Sequence, residues 1–349
     1  MPILNYRTVI LASILICPDI FPQQQTAVSL HGQLQVSGNL ILDQHDNPTQ
    51  LRGMSFFWSQ WMEKFYNRQV VDWLVDDWKV SVVRAAMGVK HDETISGYIY
   101  NGSESKRVST IVDASIKRGI YVIIDWHDHY AFNNIKESKK FFQKMAQKYG
   151  KYPNVIYEIF NEPVDVSWND VVKPYAEELV KTIRAVDPDN LIIIGSPHWS
   201  QDVDSVAENP VQGNNLVYSL HFYAATHGAD LRKRAVVAID KGIPLFVSEF
   251  GTCLSSGDGF LDSLEIEQWF SFMDTYHLSW CNWSVGDKNE TASILLPGAR
   301  YYGKWTSREL SASGKLIRHK LRKYYGIVEK EENTEEKKPV KRLLRFKPL

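Results

Sequence analysis

The chain has 349 residues, 40 Lys and Arg against 41 Asp and Glu, and a net charge of −1. That balance argues against a dedicated nucleic-acid binder, which carries a basic excess, and 44% hydrophobic with 23% charged residues exclude global disorder. The length suits two ordinary domains or one large α/β barrel, and the unusual figure is aromatic: 11 Trp, 17 Tyr and 15 Phe, 12% of the chain.

Residues 1–26 read as a secretory signal peptide. Arg7 precedes the apolar run Val9 to Cys17, and Pro18, Pro22 and a glutamine cluster follow. The run is too short to span a bilayer. With no clear small-x-small site, the cut is bounded only between Cys17 and Leu30. An extracellular protein is therefore expected, and no other stretch approaches a membrane span. Loss of the leader removes Cys17 and leaves Cys253 and Cys281, whose pairing the sequence leaves open. Asn101, Asn282 and Asn289 begin glycosylation sequons, and Asn282 is expected to be too buried to serve.

A catalytic domain is expected over residues 27–326. Gln33–Val36 and Asn39–Leu42 flank Ser37-Gly38 as a hairpin that could close the bottom of a barrel. Eight strand candidates follow: Leu51–Phe56, Val80–Met87, Tyr121–His127, Val155–Asn161, Leu191–Ser196, Leu216–Tyr223, Leu245–Gly251 and Ser279–Val285. Most are apolar without alternation, as strands covered on both faces should be. Helical patterns lie between them, such as Val172, Tyr175, Leu179 and Ile183. Eight such units predict a (β/α)8 TIM barrel of the α/β class rather than an open sheet. Residues 327–349 turn from acidic to basic and read as a charged, flexible tail.

In such a barrel the site is built where the strands end. The polar residues gathered there are Arg84, His127, Asn161, Glu162, His221, Tyr223 and Glu249, with Trp283 on the last strand. Charged residues ending apolar strands are costly unless paired, so seven polar and charged residues converging from different strands point to a functional site. Glu162 follows the fourth strand and Glu249 the seventh, across the barrel mouth. Glycoside hydrolysis needs such a pair, one protonating the leaving oxygen and the other attacking or activating water. Arg84 and Tyr223 are placed to keep Glu249 ionised. Glu162 has no cation in its own motif and is expected to keep a raised pKa, as an acid requires. The histidines lack the short paired spacing of a zinc site, so neither metal nor cofactor is expected.

The segments Ile159-Phe-Asn-Glu-Pro163 and Val247-Ser-Glu-Phe-Gly251, joined to Arg84, Tyr121-Val-Ile-Ile-Asp-Trp-His127 and Tyr218-Ser-Leu-His-Phe-Tyr223, resemble glycoside hydrolase family 5, the cellulase family. They are similar to bacterial endo-β-1,4-glucanases also found in plant-feeding invertebrates, over about Gln33 to Gly326. The resemblance implies Glu162 as acid/base and Glu249 as nucleophile of a retaining enzyme. It also implies Asn161 on the sugar 2-hydroxyl, Arg84 and Tyr223 on Glu249, His127 and His221 around the reacting sugar, and Trp283 beneath it. Trp61 would stack on a sugar on the non-reducing side and Trp199 on the leaving-group side, while Lys288 and Glu290 would meet outer hydroxyls. Trp73, Trp78, Trp269 and Trp305 sit in helical patterns and are expected in the core. One departure is Phe56-Phe57-Trp58, where related enzymes often carry a histidine. The implied activity is a secreted, monomeric endo-β-1,4-glucanase acting on a β-1,4-linked polysaccharide, cellulose first and glucomannan second. The alternatives are a mannanase or xyloglucanase on the same scaffold, or a non-catalytic carbohydrate-binding protein. The last would need neither Glu162 nor Glu249.

Overall fold

The computed structural model describes residues 25–90 and 96–327. The leader expected over 1–26 and the tail expected over 327–349 lie, but for the residues at their inner edges, outside the described residues. A short antiparallel hairpin comes first, β1 (Gln35–Ser37) against β2 (Leu40–Leu42). Its turn falls on Gly38, at φ 57°, a conformation that suits glycine. The strands therefore begin one or two residues later than the sequence pattern placed them.

Eight parallel strands then close a barrel in chain order: β3 (Arg52–Phe56), β4 (Val82–Gly88), β5 (Tyr121–His127), β6 (Val155–Glu158), β7 (Ile192–Ile194), β8 (Leu216–Tyr223), β9 (Leu245–Gly251) and β10 (Ser279–Val285). The expected (β/α)8 barrel is present, and β5, β8, β9 and β10 have their expected bounds. β6 and β7 are shorter than expected, because their paired register with the neighbouring strands ends at Glu158 and Ile194.

Period-two alternation decides where each side chain goes. Val83, Ala85 and Met87 of β4 share the outer core with Val108, Ile111 and Val112 of the helix Glu104–Arg118. Val82 of β4, with Tyr121 and Ile123 of β5, faces inward at the barrel's lower end, where Leu34 and Ile41 of the hairpin segment join them. The Tyr121 hydroxyl donates to the Gly32 carbonyl at 2.7 Å. The hairpin thus closes the bottom with apolar side chains. Higher up, the inward positions turn polar: Arg84 on β4, Asp125 and His127 on β5, Glu158 on β6 and Ser248 on β9, all buried.

The two cysteines sit at opposite ends of this interior. Cys281 packs with the lower apolar layer and Cys253 with Phe57 and Trp283 at the top. Both are free thiols. Asn282 is fully buried and its amide donates to the Phe250 carbonyl at 3.0 Å, while Asn101 and Asn289 are exposed. Trp78, Trp269 and Trp305 are buried in the outer core and Trp73 packs against it; Trp73, Trp78 and Trp269 lie on helices as expected, whereas Trp305 lies in an irregular segment and not in a helix. No helix among the described residues is long and apolar enough to cross a membrane.

Candidate active site

The C-terminal ends of the strands bring together Arg84, His127, Asn161, Glu162, His221, Tyr223, Glu249 and Trp283. Their centre is Arg84, fully buried on β4. Its Nε donates to Glu158 at 2.6 Å, Nη1 to Glu249 at 2.9 Å, and Nη2 to Asn161 Oδ1 at 2.5 Å. Nη2 also lies 3.0 Å from Asp125. A planar fork with five donors can meet this many acceptors; an ammonium could not.

Glu249 reaches the interior because β9 carries a bulge. Against β8, Ser219 and His221 pair with Phe246 and Glu249; against β10, Trp280 and Asn282 pair with Val247 and Phe250. Two steps on each neighbour thus meet three on β9, so one residue is extra. The bulge lets adjacent Ser248 and Glu249 both serve the interior, where strict alternation would turn one of them outward. Tyr223 donates its hydroxyl to Glu249 Oε1 at 2.8 Å, and burial together with the Glu249 charge raises its pKa and keeps it a donor.

Asn161 and Glu162 lie just past β6 and are held by backbone bonds to β5 and the residue after it, Asn161 N–H to Trp126 O at 3.3 Å and Glu162 N–H to Asp128 O at 3.4 Å. The Asn161 Nδ2 atom is buried with no protein partner, a donor left open toward the site. His127 bonds Asp125 through Nδ1 at 2.7 Å. Burial and the nearby Arg84 charge keep the ring neutral, its pKa well below the usual value. With Nδ1–H committed to Asp125, Nε2 is an acceptor. The ring stacks on Trp283 at 5.1 Å and 2° and meets the edge of Trp58 at 4.2 Å.

The expectation that Glu162 stands without a cation is corrected. His221, reaching across from β8, places Nδ1 2.9 Å from Glu162 Oε1, and His129 Nδ1 is 3.6 Å from Oε2. Burial would raise the Glu162 carboxyl, but the His221 hydrogen bond and the charges of His221 and His129 outweigh it and hold it below the usual range. His221 in turn is raised to about 9, against burial, by its contacts with Glu158 and Glu162. Glu249 is raised, by burial first and by the Glu162 charge next, against the pull of His221, Arg84 and Tyr223. His221 was among the expected site residues, but its pairing with Glu162 was missed because it lies on another strand, 59 residues away.

One oxygen of Glu162, one of Glu249 and one His221 nitrogen lie within 4.8 Å of one another. Between Glu162 and His221 one proton is held until about pH 9, the raised value of His221. Below that pH the pair is loaded; above it both atoms are bare. Arg84, Asp125, His127, His129, Tyr223, His227, Glu158 and Glu249 are the other charged or titratable groups facing the pair. The free-enzyme kcat/KM should therefore fall above about pH 9 by roughly tenfold per pH unit, as single-proton loss requires. A flat pH–rate profile to pH 10.5 would contradict this.

A cleft of about 360 Å³ opens beside Glu162, lined by His198, Trp199, Gln201, His221, Tyr223, His227 and Ser255. Trp199 is 40% exposed. His198, Trp199 and Ser200 all have left-handed backbone, φ 55° to 58°, costing about 1–3 kcal/mol each. Bonds to the acidic segment hold them there: Trp199 N–H to Pro163 O and the Ser200 hydroxyl to Asn161 O, both 2.8 Å. On the opposite side Trp61 is 39% exposed and packs on Trp58 at 5.0 Å. Lys288 lies 2.5 Å from Glu290 and 5.6 Å from the Phe57 ring, so these two residues pair with each other beside Phe57. Phe57 and Trp58 make the first-strand wall apolar, in contact with Trp283 and His127. Sequence reasoning missed Asp125, Glu158 and Ser248. A charged residue inside an apolar strand was the available signal for the first two; Ser248 had none.

The family model for Cellulase (glycosyl hydrolase family 5) matches residues 42–289. The chain is 46% identical over 289 residues to endoglucanase Z of Dickeya dadantii, covering 82% of this chain and 65% of that protein. It is 46% identical to endoglucanase A of Evansella cellulosilytica, covering 80% and 58%. The chain thus spans about three fifths of the length of these relatives. A solved structure from Cytophaga hutchinsonii superposes with TM-score 0.84 at 49% identity, over 86% of this chain and 98% of that one. The catalytic domain of a Thermobifida fusca endoglucanase, solved also with cellotetraose, matches at TM-score 0.81 and 35% identity, over 85% and 100%.

Proposed function

The chain belongs to glycosyl hydrolase family 5, and from that membership and the placing of its two glutamates we propose that it is a secreted, retaining endo-β-1,4-glucanase. The observation that carries the mechanism is the approach of Glu162 and Glu249 oxygens to within 4.8 Å. Retaining enzymes hold their carboxyl groups about 5–5.5 Å apart, whereas inverting ones leave about 6.5–9.5 Å for a water.

Glu249, ionised and oriented by Arg84 and Tyr223, attacks the anomeric carbon. Glu162 gives the proton it shares with His221 to the departing glycosidic oxygen. The product of this step is a glycosyl ester on Glu249. Glu162, now a carboxylate, takes a proton from water as that water opens the ester, and the proton count is restored. The open Nδ2 of Asn161 donates to the sugar 2-hydroxyl, and Nε2 of His127 accepts from another hydroxyl. Trp283, stacked on His127, lies beneath the reacting ring. Acid, nucleophile and donors are all side chains, so the reaction draws on neither metal nor cofactor.

Endo action is supported by half-exposed tryptophans on both sides of the glutamates, Trp61 and Trp199, flat apolar faces that suit pyranose rings. Lys288 and Glu290 would meet outer hydroxyls on the Trp61 side. β-1,4-Glucan is supported by the endoglucanases the chain resembles and by the cellotetraose complex of one of them. Secretion is supported by the leader pattern of residues 1–26. Soluble cellulose, glucomannan, mannan and xyloglucan assayed side by side test the substrate. Viscosity of soluble cellulose should drop faster than reducing ends appear. Mannan as the preferred substrate, or release of cellobiose without loss of viscosity, would overturn the proposal.

A further inference from the structure

Hydrogen-bond accounting around His221 assigns a task to two residues behind it. Ser248 Oγ has three neighbours: Glu158 Oε1 at 2.7 Å, Ser219 Oγ at 2.7 Å and His221 Nε2 at 2.9 Å. The hydroxyl has one proton to give. Glu158 is a carboxylate, fixed on its other oxygen by Arg84 at 2.6 Å, and can only accept. Ser248 therefore donates to Glu158 and accepts from both Ser219 and His221. His221 must then carry its permanent proton on Nε2. Its Nδ1, 2.9 Å from Glu162 Oε1, is left as the only ring atom whose proton is negotiable.

We propose that Glu158 and Ser248 are positioning residues that lock neutral His221 as the Nε2–H tautomer and so keep the transferable proton on the Glu162–His221 pair. The reasoning is electrostatic. When the pair gives its proton away, a locked His221 turns a lone pair toward the Glu162 carboxylate, and the two repel. Loss of the proton is thereby made costly, so Glu162 stays loaded as an acid and becomes a strong base for the second step. An unlocked ring would move its proton to Nδ1 and donate to Glu162, stabilising the carboxylate and weakening it in both roles. The charged and titratable groups facing the pair are Arg84, Asp125, His127, His129, Tyr223, His227, Glu158 and Glu249; of these the Glu158 carboxylate approaches Nε2 to 3.8 Å, against 2.9 Å for the Ser248 hydroxyl.

The proposal rests on Glu162 being the acid, and the test separates the two. Ser248→Ala, Ser248→Thr and Glu162→Gln are assayed for kcat/KM on a polysaccharide and on a dinitrophenyl cellobioside, whose leaving group needs no proton. Ser248→Ala should lose at least tenfold on the polysaccharide and under threefold on the dinitrophenyl substrate. Its basic pH limb should move down by a unit or more, and Ser248→Thr, which keeps the hydroxyl, should restore both. Imidazole 15N shifts above the basic limb should show Nε2–H for His221 in the parent protein and Nδ1–H in Ser248→Ala. Equal losses on both substrates, an unmoved limb, or an unchanged tautomer would overturn the lock. If Glu162→Gln itself shows no preference between leaving groups, the acid assignment fails instead.

Discussion

Replacing Glu249 with alanine is expected to lower kcat on soluble cellulose by about three orders of magnitude or more, as loss of a nucleophile does, with polymer binding retained. The side chain is nearly fully buried and bonded only through its carboxylate, to Arg84 and Tyr223. Its removal takes away the attacking atom and little packing. Azide separates nucleophile from acid by stereochemistry. In Glu249→Ala the anion can enter the vacated space and displace the leaving group once, giving an α-glycosyl azide. In Glu162→Ala the ester on Glu249 still forms, and azide then opens it to the β-glycosyl azide. The opposite pairing of variants and products would exchange the two roles. Retained hydrolysis in Glu249→Ala would remove Glu249 from the reaction altogether.

Arg84→Met should be the most destabilising single change near the site, by about 3–5 kcal/mol, because removing one partner leaves buried charges uncompensated. Glu158, Asp125 and Glu249 all rely on this guanidinium. Without it the carboxylates repel and take up protons, and Glu249 is neutralised at the pH where it must attack. Arg84→Lys keeps a charge but cannot reach Glu158, Glu249 and Asn161 together. Both variants should show a lower urea midpoint at constant slope, and kcat/KM in Arg84→Lys should fall at least a hundredfold with its acid limb moved to higher pH. A midpoint equal to that of the parent protein would show that the cluster does not depend on Arg84.

The barrel was legible because its strands are two-sidedly apolar and its units recur at regular length, features that local patterning carries. Glu162 and Glu249 were legible because each ends such a strand. What the sequence concealed are relations between strands. His221 and Glu162 come from β8 and the end of β6, and only lateral packing shows that a histidine stands beside the acid. The extra residue in β9 is equally invisible: Val247-Ser-Glu-Phe reads as ordinary alternation, yet the bulge brings Ser248 and Glu249 together to the interior. Asp125 and Glu158 were visible as charges in apolar strands but were passed over because the expected strands ran on past them, to His127 and Asn161.

Retention is the claim on which the roles of both glutamates depend. Proton NMR of the first reducing end released from a soluble cello-oligosaccharide tests it most directly, recorded before mutarotation scrambles the anomers. Double displacement by Glu249 and Glu162 is expected to give the β-anomer first. An initial α-anomer would mean that water attacks in a single step, and the assignment of Glu249 as nucleophile would be wrong.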